Sequence, residues 1–370
     1  MSTPSLFTPT VVGRMHLAHR VVLAPMTRMR NNPQTFVPLS SLVKEFYEQR
    51  AEIQGSFLIA DGMVVHEKAG GIPAVAALYT DEQVSAWKEV VEAVHAKGSY
   101  IYAQLAGLGR LASPEHVPNG DVVGPSAIPK KSEGAPIPRP LSIPEIKEYV
   151  DWFVAAAKNA VFKAGFDGVE IHAANGLLLN EFLEDVSNDR TDEYGGSIEN
   201  RTRIVLEIVD RVSEAIGSDR VGLRLSPWNR DSGCGMLDPI PTFTYLVDQL
   251  VLHHPKLAYL HVVEPRCQVS GTDLDAEARI PAAHESNDFL RSAWGDRPFI
   301  AAGNFTRESG IQSAEEKGDL VAYGRWYSSN PDLPRRLDQN LALTKYDRSK
   351  FYIPGSTARE GYLDFPEVAA

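Results

Sequence analysis

Short apolar runs alternate along this chain with longer stretches whose apolar positions recur at steps of three and four. The runs fall at 21–24 (VVLA), 57–60 (FLIA), 100–105 (YIYAQL), 168–172 (GVEIH), 221–226 (VGLRLS), 258–263 (AYLHVV), 298–302 (PFIAA) and 319–324 (DLVAYG). Their length and near-continuous apolarity predict strands buried on both faces. Of the intervening stretches 144–164 is the clearest helix, with Ile146, Val150, Phe153, Val154, Ala157 and Val161 on one face. Residues 81–97 repeat the device with Val84, Trp87, Val91 and Val94, and 199–216 runs from a capping Ser197 to a terminating Gly217. Eight strands separated by amphipathic helices predict an α/β fold, a closed (β/α)8 TIM barrel, as one domain over residues 1–370. An open doubly wound sheet is the competing architecture, but no G-x-G-x-x-G follows the first strand and no P-loop occurs. The proline-rich stretch 109–140 reads as a lid insertion after the third strand.

In such a barrel the chemistry sits at the C-terminal ends of the strands, so the polar residues there form the candidate site. They are Pro25, Met26 and Thr27 after strand one, Asp61 and Gly62 after strand two, Gln104 in strand three, His172 and Asn175 at strand four and Arg224 in strand five. Gly303 and Asn304 follow strand seven, and Gly324 and Arg325 follow strand eight. Loops seven and eight commonly bind phosphate, and AAGN with YGR supplies glycines for close backbone approach and a guanidinium. Each residue also has a plainer reading. A single glycine is more often a turn residue, Thr27 can cap a turn, Gln104 can satisfy backbone groups and a lone His172 is more often structural. Arg224 resists that reading, because an arginine inside an apolar strand needs an anion or several acceptors.

Composition narrows the partners. A net charge of −11 disfavours nonspecific binding to nucleic acid or anionic membrane, and no apolar run approaches membrane-spanning length. Two cysteines, Cys234 and Cys267, make no disulfide framework, and no Cys/His spacing suggests a metal site. With an N-terminus MSTPSLFTPT that lacks the features of a signal peptide, a reducing, cytoplasmic setting is expected.

Ordered segments of the chain resemble the old yellow enzyme family of FMN-dependent ene-reductases, in particular its fungal branch. LFTPTVVGRMHLAHRVVLAPMTRMR is similar to the family's opening segment, HAANGLLLNEFLEDVSNDRTDEYGGSIENR to its central signature and VGLRLSP to its fifth strand. YGRWYSSNPDLPRRL is similar to its phosphate loop and final helix, and KYDRSKFYIPGSTAREGYLDFP to its ending. The resemblance implies FMN as cofactor, NAD(P)H as reductant and a small unsaturated carbonyl compound as substrate. It places Pro25, Met26 and Thr27 along the flavin, Gly62 and Gln104 at the ring system and Arg224 beside the part that becomes anionic. Gly303, Asn304, Gly324 and Arg325 fall on the ribityl phosphate, and Tyr352, with Phe351 before it, on the mouth of the substrate pocket. His172 and Asn175 match the donor pair that polarises a substrate carbonyl.

Two positions depart from the pattern. Reducing members read H-x-x-N-G-Y, the tyrosine protonating the substrate's α-carbon, and here that place is Leu177. Many members read Q-L-W where this chain has Gln104, Leu105 and Ala106, which predicts a roomier pocket and a bulkier, polycyclic substrate. The expected activity is therefore FMN-dependent oxidoreduction at the activated C=C of a secondary-metabolite intermediate. Isomerisation or dehydrogenation without net reduction is the first alternative, and a non-catalytic flavin-binding protein the second. Oligomeric state is left open by the sequence.

Overall fold

The computed structural model describes residues 3–267 and 280–366. Eight parallel strands close into a barrel: β1 (Val21–Leu23), β2 (Phe57–Val64), β3 (Tyr100–Ala106), β4 (Gly168–Ala173), β5 (Val221–Leu225), β6 (Tyr259–Val263), β7 (Phe299–Ala302) and β8 (Leu320–Tyr323). Each pairs with the next, and β8 pairs with β1 through Val321↔Val21 and Ala322↔Val22, so no edge is left open. All eight apolar runs became strands. The second is longer than expected, because the register shifts between Ile59 and Gly62 and the strand then continues; Gly62 lies inside it.

Alternation along the strands sorts the core into two layers. Outward residues meet the helices. Inward residues of the lower barrel, among them Val22, Phe57, Tyr102, Tyr259 and Ile300, pack on one another and on Val12, Met15 and Leu17 of an antiparallel hairpin (Thr10–Val12, Met15–Leu17). That plug closes the N-terminal end, so a ligand has only the upper end to use.

The helices begin and end where the sequence places their signals. The helix Asp81–Ala96 opens on a capping box in which Thr80 and Gln83 satisfy each other's backbone, and Ile143–Lys158 repeats this with Ser142 and Glu145. The second of these passes into a π turn over Asn159–Ala164 before Gly165 stops it at φ +87°. The helix Ile198–Ile216 starts at Ser197 and buries Ile204, Val205, Ile208, Val209 and Val212. Among the described residues no helix is long and apolar enough to cross a membrane.

The insertion after β3 forms short turns and a two-residue parallel pairing of Val123–Gly124 with Arg139–Pro140. Of residues 109–140, Leu111 lines the cavity described below. A strap formed by the C-terminal residues crosses the upper end. Buried Arg28 fastens it, donating to the carbonyls of Phe351 and Gly361 while its ring neighbours Phe351 and Tyr362 sit 4.9 and 5.0 Å from the guanidinium.

Candidate active site

A cavity of about 430 Å³ opens at the C-terminal ends of the strands. It collects every candidate that the sequence supplied except one: Pro25, Met26, Thr27, Gly62, Gln104, Ala106, His172, Asn175, Leu177, Arg224, Gly303, Asn304, Gly324, Arg325 and Tyr352 all line it. The exception is Asp61. Its carboxylate turns away beneath the barrel mouth, accepting from the Tyr47 hydroxyl at 2.6 Å and the Arg28 backbone at 3.1 Å, which makes it a structural anchor.

The donor pair is set by neighbouring backbone. His172 Nδ1 accepts from the Ala174 N–H at 3.3 Å, so a neutral ring carries its proton on Nε2. Neutrality is assured by burial and by Arg224 across the strand pair, which together hold the imidazole down at about 3. Asn175 adopts φ +61°, its backbone N–H held by Ser226 Oγ at 2.7 Å. Its Oδ1 is shielded and has no partner. Both residues line the cavity, and among the described residues no acceptor engages the N–H of His172 Nε2 or of Asn175 Nδ2.

A charged network lies beneath. Gln104 Nε2 donates to Glu170 Oε1 at 2.7 Å, and Glu170 Oε2 lies 2.8 Å from His261 Nδ1. This fixes the Gln104 amide so that its carbonyl oxygen faces Gly62, where a Cβ would meet it at 3.2 Å. Burial alone would raise the Glu170 carboxyl, but His261, Arg224 and Gln104 outweigh it and hold it below its ordinary value. Arg224 is itself buried and its Nε has no partner. Glu170 and His261 were absent from the candidates read from the sequence, yet a signal existed: each is an ionisable residue inside an otherwise apolar strand, and Glu170 shares the inward face with His172.

At the opposite corner Arg325 donates to Asn304 Oδ1 at 3.1 Å. Gly303 sits at φ +135°, where a Cβ would lie 2.9 Å from that of Cys267, and a Cβ on Gly324 would lie 2.7 Å from Met26 Sδ. Gly303 is favoured by both its positive φ and this close approach, whereas at Gly324 the neighbour is the flexible end of Met26. The remaining wall is apolar. Leu177 packs on a cluster containing Val64, Val75 and Leu108, with Ile72 beside it. Val64 ends β2, while Ile72, Val75 and Leu108 come from loops with no periodicity, so nothing in the sequence marked them.

Behind the wall the turn carrying Asn175 is braced by buried acids. Asn180 Oδ1 accepts from Gly176 N at 2.8 Å and its Nδ2 donates to Glu184, whose other oxygen accepts from Gly235 N at 2.7 Å. Glu181 accepts from Arg110 N at 2.9 Å. Burial pushes Glu181 up to about 8 and Glu184 up to about 7. In the unfolded chain both lose their protons near the ordinary value of 4.5, so their stabilising effect is complete below that pH and is lost as pH rises through about 7 to 8. The melting temperature should therefore fall across this range, and the fall should be smaller in Glu181→Gln, as followed by thermal denaturation in a pH series.

Comparison with known proteins agrees with this geometry. The model of the NADH:flavin oxidoreductase / NADH oxidase family matches residues 5–344. The chain belongs to this family. This flavin oxidoreductase is 45% identical to a probable inactive reductase of Epichloe festucae var. lolii, with 99% of this chain and 96% of the relative covered. It is 44% identical to the chanoclavine-I aldehyde reductase of Penicillium roqueforti, over 97% and 95%. Among solved structures, Old Yellow Enzyme from a Pichia species superposes with a TM-score of 0.88 at 36% identity, covering 99% of this chain and 94% of that one. Morphinone reductase in complex with tetrahydroNAD gives 0.86 at 38%, covering 99% and 98%.

The protein is accordingly an FMN-dependent oxidoreductase that uses NAD(P)H. Its cavity suits the flavin: Arg224 is a buried cation whose Nε has no hydrogen-bond partner among the described residues, and Gln104 offers a fixed acceptor. FMN, when bound, supplies the hydride-transfer chemistry that no side chain here can perform.

Proposed function

We propose that this flavin oxidoreductase acts on the activated C=C of an α,β-unsaturated carbonyl compound with a bulky apolar body, an intermediate of secondary metabolism. The observation that carries the reading is the pair of inward N–H groups on neutral His172 and on Asn175. Hydrogen bonds from both to a carbonyl oxygen stabilise the negative charge that grows there as the β-carbon is reduced. Ala106 and the aliphatic wall around Leu177 give the substrate side an apolar lining. In this reading Pro25, Met26, Thr27, Gly62, Gln104 and Arg224 hold the ring system, and Gly303, Asn304, Gly324 and Arg325 hold the phosphate. The match to a relative named as an aldehyde reductase of chanoclavine-I supports an enal or enone as the reactive group.

A second outcome at the same site is favoured by one observation: the position from which an α-carbon would be protonated is aliphatic and embedded in an apolar cluster. The donors then activate the substrate without a proton donor at position 177 to complete net reduction, and isomerisation becomes an accessible product channel. A non-catalytic flavin carrier is disfavoured by the intact donor pair. The test is anaerobic incubation of the NADPH-reduced protein with a panel of enals and enones, products being identified by mass. Saturated product supports net reduction, an isomer of unchanged mass supports the second outcome, and unaltered substrate across the panel contradicts both.

A further inference from the structure

Three arginines line the cavity, and two of them have an opposite charge or a hydrogen-bond acceptor close by. Arg224 faces Glu170, and Arg325 bonds Asn304. The third is Arg348, on the strap. Its side chain has no hydrogen-bond or ion-pair partner among the described residues, and its Nε is shielded from solvent as well. Neighbouring charges do not neutralise it. Asp347 is engaged by the backbone and hydroxyl of Ser349 at 3.0 and 2.7 Å, and Lys350 pairs with Glu360 at 2.8 Å.

The backbone that presents Arg348 is held firmly. It opens a single helical turn, Arg348–Lys350, whose following carbonyls at Lys350 and Phe351 accept from buried Arg28. Two residues earlier, Tyr346 packs edge-on against Trp326 at 5.2 Å and lies under the Arg325 guanidinium at 5.4 Å. The strap therefore runs from the Arg325 corner to exposed Tyr352 at the mouth, with Arg348 between. An unpaired guanidinium on a firmly held backbone, in a chain of net charge −11 and with the adjacent Asp347 engaged by Ser349, is complementary to an anion entering from the cavity.

We propose that Arg348 recognises a phosphate of a nucleotide bound in the cavity, gripping it from the outer rim while Arg325 and Asn304 occupy the inner corner. The proposal rests on the nucleotide reading of the cavity and adds to it a residue that nothing in the strand pattern singled out. Two nucleotides meet at this site, and either brings the required chemistry: the flavin's own phosphate, or the phosphates of the nicotinamide dinucleotide.

The holoprotein and the variants Arg348→Gln and Arg348→Lys distinguish them. FMN retention is read from the fluorescence of flavin released on dilution, and dinucleotide affinity from equilibrium dialysis of ADP-ribose and of a non-reacting tetrahydro analogue of NADPH. Loss of one charged hydrogen-bonded contact should weaken one of these by about tenfold or more in Arg348→Gln, with partial recovery in Arg348→Lys, which keeps charge but not the fork. Weakened dinucleotide binding with unchanged FMN retention assigns the hydride donor's phosphates; the reverse assigns the flavin's. If both affinities stay within about twofold of the native protein in both variants, the proposal is overturned while FMN binding itself stands. Should Arg348→Gln fail to fold, Arg348→Lys carries the same reading. A native protein that retains no FMN at all would instead overturn the reading of the cavity.

Discussion

His172→Ala should lower turnover of a small enone by about a hundredfold or more, the usual cost of losing one preorganised donor to a developing oxyanion. The effect should appear in kcat as well as in kcat/KM, because the bond strengthens as charge moves onto the oxygen. A phenolate mimics that oxygen, so the long-wavelength charge-transfer band formed by phenols over the flavin should be lost in the same variant. Unchanged turnover together with an unchanged band would show that the donor is elsewhere. The structure adds a pH signature. With its pKa held at about 3 by burial and by Arg224, His172 stays neutral through the acid range where an ordinary histidine would ionise, and the native rate should show no acid limb near the usual histidine value.

The second large effect concerns Leu177. A well-placed general acid contributes on the order of a hundred- to ten-thousandfold to its step, and the aliphatic neighbours of Leu177 offer no replacement on that wall. Leu177→Tyr should therefore raise reduction of small enones by roughly tenfold or more. The phenol also needs a fixed position, and a displacement of about 1 Å can cost a hundredfold. Ala106 lines the same cavity and leaves room for the ring to wander, so Ala106→Trp combined with Leu177→Tyr should exceed the single change. Product formation by both variants, with solvent deuterium reporting the source of the α-proton, checks this. Equal yields from native protein and both variants would remove Leu177 from the account.

The barrel was legible because its strands are buried on both faces and its helices on one, so each prints its period directly onto the chain. Strand ends were less so: Gly62 read as a loop residue because a register shift after Ile59 interrupts the pattern without ending the strand. Candidate residues at strand ends converge on the cavity because the fold places all C-terminal ends together, and only Asp61, adjacent to Gly62 but directed to Tyr47, turned the other way. Glu170 and His261 could have been read as charges in apolar strands, whereas their pairing needed the third dimension. The aliphatic wall, the acids Glu181 and Glu184, and Arg348 were invisible for another reason. Most of them lie in loops or in segments too short to print a period, Glu181 in a helix of six residues and Arg348 in a single turn, and whether an arginine is paired depends on neighbours far away in the chain.

The most direct measurement is the anaerobic reoxidation of NADPH-reduced holoprotein by a small enone, followed by flavin absorbance in native protein and in Leu177→Tyr. Native protein should bind the enone and reoxidise slowly, and the variant should be faster by about tenfold or more because only the proton was missing. Rapid native reoxidation that Leu177→Tyr leaves unchanged would contradict this.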